Sequence, residues 1–292
     1  MVPDPVITRF APSPTGHLHL GHAFSAVMGW AAARAAGGRW LLRLEDIDEG
    51  RVRPEFGESI RADLAWLGLV PDGPVMIQSG QKQRHCAALE QLKAQGLLYP
   101  CVCTRADIAR AASAPHAGET IAYPGTCRGR AGVDPSGPHA WRLDLAATGL
   151  PMEQRWQDLA AGPQSGRADS AGDPVLARKD GAIAYHLACV LDDFAQGVTL
   201  VLRGEDLAEA TPVQRLLQRL LGLPEPAYLH HKLLRDRAGR RLAKRDSAQT
   251  LAARRATGED GVALRAALLR QSAPLLARAG IPISEGALGR RG

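Results

Sequence analysis

The first hundred residues alternate short apolar runs with helix-like segments, and this alternation constrains the fold more than any other feature of the chain. The runs VITRFAP and RWLLRLED favour strands, and each precedes a segment with helical periodicity. Helix breakers stand at the segment ends: Gly37 and Gly38 follow the first helix, Pro54 opens the second and Gly96 follows the third. The rhythm predicts βαβ units on a parallel sheet, which is an α/β fold.

The alternation stops near residue 101 and resumes after residue 174. Stretches such as AASAPHAGET and GRAGVDPSGPHA are typical of loops, so we expect 101–174 to be an inserted subdomain with little regular structure. The parallel-sheet domain then has two halves, 1–100 and 175–235. Residues 236–292 begin with a basic loop and continue with an Ala/Leu-rich periodicity that predicts helices.

Composition and charge narrow the function classes. The chain has 292 residues, 45% of them hydrophobic and 23% charged, which is typical of globular proteins. No apolar run approaches the roughly 20 residues of a membrane span, and MVPDPVITRF is no export signal, so we expect a cytoplasmic protein with reduced cysteines. A net charge of +6 favours a polyanionic partner, and nine Lys and Arg lie between Lys232 and Arg255. A solvated basic face is the alternative.

The stretch PTGHLHLGHA places His17, His19 and His22 between a strand-like run and a helix. Gly21 would let the backbone approach a ligand where the helix offers its first N–H groups, an arrangement that suits phosphate. His19 and His22, three residues apart, could both donate hydrogen bonds to phosphate oxygens. Two alternatives stay open, a purely structural role and a zinc site; zinc would need a nearby acid or cysteine.

A second basic stretch, RRLAKRDS, covers residues 240–247. A loop carrying Lys244 could close over phosphates from the far side of the sheet. Taken alone, the stretch is more typical of an exposed basic loop.

The cysteines predict a possible metal centre. Cys101 and Cys103 point to one face of an extended chain, and the turn at Pro124 and Gly125 can bring Cys127 back towards them. Three thiolates require a fourth ligand, and His116 and His139 are candidates on chemical grounds. A tyrosine is an unusual ligand because its pKa is near ~10, although a coordinated cation favours its ionisation. Unligated thiols are the alternative.

In this order, and more than two hundred residues apart, His19-Leu20-Gly21-His22 and Arg241-Leu242-Ala243-Lys244-Arg245 resemble the HIGH and KMSKS elements of class I aminoacyl-tRNA synthetases. TRFAPSPTG, LLRLEDID, GAIAYHLA and VLRGEDL look like the glutamyl branch of that family, and the resemblance runs from about residue 6 to 250. It implies a class I Rossmann catalytic domain. Arg241 and Ala243 depart from the pattern, and we expect them to slow or alter closure of the loop.

The resemblance also implies substrates and their binding residues. ATP, with Mg²⁺, would be bound by His19, Gly21, His22 and Lys244, of which the two histidines and the lysine are catalytic. Glutamate would be bound by six residues: Arg9 and Tyr185 at its side chain, Arg203 at a carboxylate, Glu45 at its ammonium, and Ala11 and Ser13 beside them. Each has a simpler alternative, such as an ion pair of Glu45 with Arg43 or Arg51, or a core position for Tyr185.

The chain ends 47 residues after Arg245, where full-length glutamyl-tRNA synthetases continue into an anticodon-binding domain, so we expect none here. In this it is similar to the short glutamyl-Q tRNA(Asp) synthetase branch, in which a Cys-x-Cys, Tyr-x3-Cys set binds one structural zinc. The same spacing stands at Cys101, Cys103, Tyr123 and Cys127.

The resemblance to the short branch implies transfer of glutamate to queuosine at the wobble position of tRNA(Asp), by a monomer that does not bind membranes. Three alternatives remain: a truncated enzyme that charges the 3′ end of tRNA(Glu), a non-catalytic tRNA-binding paralogue, and a zinc hydrolase built on the three histidines.

Overall fold

The computed structural model describes residues 1–111, 122–130, 137–234 and 250–283. Lys244, with the KMSKS-like loop, and His116 lie outside the described residues. Among the described residues, no helix is both long and apolar enough to cross a membrane.

The first hundred residues form three βα units, as the alternation predicts. The strands are β1 (Ile7–Phe10), β2 (Arg39–Leu44) and β3 (Met76–Ile77), and they run parallel in that order. The helices are α1 (Leu20–Ala35), α2 (Pro54–Trp66) and α3 (Lys82–Ala94). Gly37 and Gly96 follow α1 and α3 at φ 61° and 70°, where glycine ends a helix without a steric penalty. The predicted strands, helices and breakers are confirmed.

The middle of the chain holds more regular structure than its sequence predicts. The elements are β4 (Leu98–Cys101), α4 (Arg105–Ala111), β5 (Ala140–Leu143), β6 (Glu153–Asp158) and β7 (Gly162–Arg167). The expectation of little regular structure over 101–174 is therefore wrong. The sequence GPQSGR of β7 misleads because glycine and proline are tolerated on an edge strand, and β7 pairs only with β6.

The rest of the chain returns to the βα pattern and ends in helices. The elements are β8 (Val175–Ala177), α5 (Tyr185–Ala195), β9 (Leu200–Gly204), α6 (Thr211–Leu220), β10 (Ala227–His231), α7 (Leu251–Ala256) and α8 (Gly261–Arg278). Strands β4, β5 and β8 form a small antiparallel sheet.

The three-stranded parallel sheet and the four-stranded sheet meet edge to edge. Strands β9, β10 and β6 run parallel, and β7 pairs antiparallel with β6. The Thr199 amide donates to the Ile7 carbonyl at 2.9 Å, and the Ile7 amide donates to Thr199 Oγ1 at 2.8 Å. Strand β1 therefore lies beside the start of β9, and the core around α1, with Met28, Trp40 and Leu202, spans the junction.

Candidate active site

One cleft of about 580 Å³ collects every described residue that the sequence assigned to ATP or glutamate. It lies where β1, β2, β9 and β10 end, which is where open α/β sheets bind ligands. Its lining includes Arg9, Ala11, Ser13, His19, Gly21, His22, Glu45, Tyr185 and Arg203. Residues from five separate elements therefore meet at one place.

His19 and His22 cap the start of α1 reciprocally. The Gly21 amide donates to Nδ1 of His19 at 3.0 Å, and the His19 amide donates to Nδ1 of His22 at 3.1 Å. The two rings stack with centroids 3.8 Å apart. Because each Nδ1 accepts a hydrogen bond, each neutral imidazole carries its proton on Nε2, which makes both rings donors at the positive end of the helix dipole.

The structure gives a second reason for a glycine at position 21, besides the approach of a ligand that the sequence suggests. A Cβ at this position would stand 2.9 Å from Cε1 and 3.1 Å from Nδ1 of His19, too close for either atom. The glycine leaves room for the His19 ring in its capping position, besides any approach of a ligand to the backbone.

The described segments on both sides of Lys244 lie at this cleft. Leu233 and Leu234 line it before the gap in the described chain. After the gap, Thr250 forms a β-bridge with His19, and the Leu251 amide donates to the Leu18 carbonyl at 2.8 Å.

Arg9 belongs to a buried ion-pair network. Its Nε donates to Oδ1 of Asp193 at 2.8 Å, and Nη1 of Arg43 donates to the same oxygen at 2.7 Å. Arg43 also donates from Nη2 to Oε1 of Glu45 at 3.0 Å. The simpler expectation that Glu45 pairs with Arg43 is therefore confirmed, whereas Arg9 is a buried residue and not a surface one.

The two acids of this network, Asp193 and Glu45, have pKa values shifted in opposite directions. Burial opposes ionisation of Asp193, but the charges of Arg9 and Arg43 outweigh it and lower the pKa to about 2. Burial raises the pKa of Glu45, and Arg43 and Arg9 offset only part of that rise. Glu45 therefore gains when a further cation enters the cleft.

Arg203, on β9, has a different environment. Its side chain is buried, with Nη1 donating to Gln214 Oε1 at 2.8 Å, Nη2 donating to Thr211 Oγ1 at 2.9 Å and Nε donating to His230 Nε2 at 3.2 Å. None of the three acceptors is an anion. The His230 ring accepts from Arg203 at Nε2, and its Nδ1 lies 3.0 Å from Asp158. No carboxylate of the described residues lies within ion-pair distance of Arg203, so its charge is not balanced locally.

Tyr185 opens α5 at the edge of the cleft. Burial raises the pKa of its hydroxyl well above the ordinary value, and the charges of Cys189 and Glu45 add to the rise. It is therefore a neutral phenol that can donate or accept a hydrogen bond.

Sequence reasoning missed the buried acid that pairs with Arg9 and Arg43. Asp193 lies eight residues after Tyr185, in a helix whose other inward-facing positions are mostly apolar. A buried acid in an apolar helix requires a cation, and that signal could have marked Asp193. Ser25 and His231, whose Oγ and Nε2 lie 2.7 Å apart in the same cleft, had no such signal.

The zinc reading of the three histidines finds no support among the described residues, whose only group of three or more candidate ligands is Cys101, Cys103 and Cys127. His17 is exposed, with Nδ1 2.8 Å from Ser59 Oγ and its ring edge-on to Phe56.

The cysteine cluster forms at the end of β4. The three sulfur atoms all lie within 4.8 Å of one another, with 3.5 Å between those of Cys103 and Cys127. The Tyr123 oxygen is 3.5 Å from Sγ of Cys101 and accepts the Cys127 amide at 2.8 Å. Gly172 permits this arrangement, because a Cβ there would stand 2.1 Å from the Tyr123 carbonyl oxygen. Three candidate sulfur ligands thus lie together, with the Tyr123 oxygen beside one of them.

The cluster is electrostatically prepared for a thiolate at one position. Burial opposes ionisation of Cys101, yet hydrogen bonds from Tyr123 and Arg142 outweigh it and lower the pKa to about 7. Burial raises the pKa of Tyr123, so its ionisation would require a nearby cation. His139, one of the chemical candidates for a fourth ligand, is not part of the group and turns Nδ1 to the Gly137 carbonyl at 2.8 Å.

Comparison with known proteins identifies the family to which the chain belongs. The family of class I tRNA synthetases (E and Q), catalytic domain, matches residues 5–286. Curated relatives named glutamyl-Q tRNA(Asp) synthetase are 50% identical in Rhodobacter capsulatus, over 89% of this chain and 98% of the relative, and 49% identical in Geobacter sulfurreducens, over 92% and 86%.

A solved glutamate tRNA ligase from Elizabethkingia meningosepticum, in complex with its amino acid, superposes with a TM-score of 0.70 at 29% identity. The match covers 83% of this chain and 52% of the ligase, so the chain spans about half the length of that enzyme. The chain therefore belongs to the class I tRNA synthetase (E and Q) family and, through its curated relatives, to the glutamyl-Q tRNA(Asp) synthetases.

Proposed function

We propose that the chain is an ATP-dependent ligase that activates glutamate and transfers it to the queuosine base of tRNA(Asp). The observation that carries the proposal is the combination, in one cleft, of a histidine-capped helix start with a buried arginine, Arg203, that lacks a described carboxylate partner. The first suits phosphate oxygens and the second a carboxylate. ATP and glutamate together present these groups.

In the first step an oxygen of the glutamate α-carboxylate attacks the α-phosphorus of ATP. The bond from that phosphorus to the bridging oxygen breaks, and pyrophosphate leaves with the bonding electrons. His19 and His22 donate as neutral rings from Nε2 to the phosphate oxygens as the charge on these oxygens increases, and Lys244 adds a cationic donor. Mg²⁺ that accompanies ATP supplies further charge neutralisation.

The glutamate end of the cleft is selected by charge. Arg203 binds a carboxylate of the substrate, and Arg9 with Tyr185 meets the side chain. Glu45, held in place by Arg43, binds the ammonium, since a further cation lowers its raised pKa. Ala11 and Ser13 line the same wall of the cleft.

In the second step a hydroxyl oxygen of the queuosine cyclopentenediol attacks the carbonyl carbon of glutamyl-adenylate. The bond from this carbon to the phosphate oxygen breaks, AMP leaves, and the hydroxyl loses its proton. The names of the curated relatives, which specify tRNA(Asp), support this acceptor. The basic segment from Lys232 to Arg255 would contact tRNA phosphates in a salt-sensitive way.

Pyrophosphate exchange tests the first step. The purified protein should exchange labelled pyrophosphate into ATP in the presence of glutamate, and His19→Ala should reduce the rate strongly. The non-catalytic tRNA-binding alternative predicts that no glutamate-dependent exchange occurs, and that result would contradict the ligase proposal.

We further propose that Cys101, Cys103, Tyr123 and Cys127 hold one structural zinc ion. Three clustered sulfurs, with a phenol oxygen 3.5 Å from one of them, supply the four ligands that the closed tetrahedral coordination of such sites requires. The ion would hold the end of β4 to the turn at Cys127 and would take no part in the reaction.

We infer that the stretch 101–174 faces the tRNA as a subdomain around this ion, between the two halves of the catalytic domain, 1–100 and 175–235. The pairing of β6 with β10 ties the stretch directly to the catalytic sheet. We propose that one chain suffices for activity, because all the described residues assigned to ATP and glutamate meet in one cleft of the chain.

A further inference from the structure

A buried arginine, Arg142, lies against the cysteine cluster. It stands on β5 directly opposite Tyr99 of β4, so its side chain shares a face of the small sheet with Cys101, two residues further along β4. The residue is 8% exposed. Its Cζ lies 3.7 Å from the centre of the Tyr123 ring, and Nη1 donates to the Asp173 carbonyl at 2.5 Å.

This guanidinium has no carboxylate to balance it, and the acidic group that it contacts is the thiol of Cys101, one of the proposed zinc ligands. No carboxylate of the described residues lies within ion-pair distance of Arg142, and its Nε is buried without a described hydrogen-bond partner. The nearest carboxylate, Asp173, is used elsewhere: its side chain accepts from Tyr99 at 2.6 Å, from Arg128 and from the Leu145 amide. A buried charge without a counter-charge is strongly unfavourable, so an anion is expected beside Arg142.

The proposed metal site supplies that anion. A divalent ion bound by three thiolates has a net charge of −1, and a phenolate as fourth ligand makes it −2. A cation above an aromatic ring is attracted more strongly when the ring oxygen is negative. The position of Arg142, in contact with the Tyr123 ring and on the face of Cys101, therefore matches an anionic cluster.

Resting on the zinc site proposed above, we propose that Arg142 is a positioning residue of that site. Its charge offsets the negative metal cluster, and its stacking holds the Tyr123 ring so that the oxygen faces the cysteine sulfurs. Groups of this kind, which contact ligands but not the metal, typically change metal affinity about 10- to 100-fold when they are replaced.

Arg128 provides a matched control. It also lies beside the cluster, adjacent to Cys127, but it forms ion pairs with Asp173 and with Asp144, the latter at 3.4 Å. Its charge is already balanced, so Arg128→Gln should change zinc affinity by less than about threefold. Comparing the Arg142 and Arg128 variants separates the specific contact of Arg142 from a general effect of positive charge.

The experiment measures zinc affinity of the full chain by competition with a colorimetric chelator, for wild type, Arg142→Gln, Arg142→Lys and Arg128→Gln. Absorption spectra with Co²⁺ in place of zinc report the ligand set of each variant. We expect about 10- to 100-fold weaker zinc binding and an altered Co²⁺ spectrum for Arg142→Gln. Arg142→Lys, which keeps the charge but cannot stack as a plane, should recover part of the affinity.

Wild-type affinity and an unchanged Co²⁺ spectrum in Arg142→Gln would overturn the inference while leaving the zinc site intact. Equal losses in Arg142→Gln and Arg128→Gln would overturn it too, because a contact specific to Arg142 would then be unnecessary. If Arg142→Gln does not fold, Arg142→Lys decides: an unchanged spectrum with wild-type affinity contradicts the positioning role. A wild-type chain that binds no zinc would refute the metal site itself.

Discussion

The cleft and the cysteine cluster each contain a buried arginine without a described acid partner, but the two arginines have different surroundings. Arg203 is held by three neutral acceptors and faces a cleft of about 580 Å³. Arg142 lies on a phenol ring beside three thiols. In the cleft, we expect the balancing anion to be a substrate carboxylate, which binds and dissociates. In the cluster, we expect the balancing anion to be a permanently bound metal with its thiolate ligands.

Arg9, which lines the same cleft, and Arg43, which is fully buried beside it, show the opposite case. They share Asp193, whose pKa their charges hold at about 2 against the opposing effect of burial, so their charge is largely balanced before any substrate arrives. The comparison indicates that Arg203, rather than Arg9, provides most of the attraction for a carboxylate. The following changes test that difference, in order of expected effect.

The largest effect is expected at the cluster. Cys101→Ser removes a thiolate from a closed site, and structural zinc sites contribute on the order of 10 kcal/mol to folding in small domains. Zinc content measured by mass spectrometry should fall to near zero, and the melting temperature should drop. His19→Ala, in the cleft, should retain the full zinc content; release of metal by that change would contradict the separation of the two sites.

In the cleft, Arg203→Gln should reduce kcat/KM for glutamate in pyrophosphate exchange by about 30-fold to a few thousand-fold, because loss of a buried partner of a charge costs about 2–5 kcal/mol. Arg215→Gln is the control: Arg215 is also buried but pairs with Glu225 away from the cleft. The KM of the Arg215→Gln variant for glutamate should equal that of the wild type. A small effect at Arg203 would mean that the unbalanced charge does not bind substrate.

Gly21→Ala should separate activity from stability. Alanine favours a helix by about 1 kcal/mol over glycine, so folding should not suffer, yet its Cβ would displace the His19 ring. We expect about a tenfold slower pyrophosphate exchange at unchanged or raised melting temperature. Gly80→Ala, where a Cβ meets no atom within 4 Å, should leave the rate unchanged. A normal rate in Gly21→Ala would show that the ring position is not needed.

A buried acid extends the comparison to the opposite charge. Burial raises the pKa of Asp63 to about 6, with Arg255 and His17 offsetting part of the rise, and neither carboxylate oxygen has a described hydrogen-bond partner. The folded chain thus holds this proton more tightly than the unfolded chain. Stability is favoured below pH about 4 and is lost as the pH rises through about 6.

Asp63→Asn should therefore raise the free energy of unfolding at pH 7.5 by about 1–3 kcal/mol, and the gain should vanish near pH 4. Urea unfolding at several pH values measures it. Asp72→Asn should have the opposite sign, because a hydrogen bond from Arg34 lowers the pKa of Asp72. A destabilised Asp63→Asn at pH 7.5 would mean that the pair with Arg255, at 3.4 Å, outweighs the cost of burial.

The sequence predicts parts of the molecule that depend on local signals. The βα rhythm, the glycines after α1 and α3 and the cysteine spacing are all written within short stretches. Partners far apart in sequence are not: Arg43 and Asp193 are 150 residues apart, and only the folded sheet brings them together. Strand β7 was missed because its Gly and Pro favour a loop unless an edge position accommodates them.

The most direct test of the account is the position of labelled glutamate on tRNA(Asp). Two preparations are compared, identical except that one carries queuosine, and the label is located by nuclease digestion after incubation with the protein and ATP. We predict that the label appears only with queuosine and stays with the anticodon fragment. Equal labelling without queuosine, or label at the 3′ end, would contradict the account.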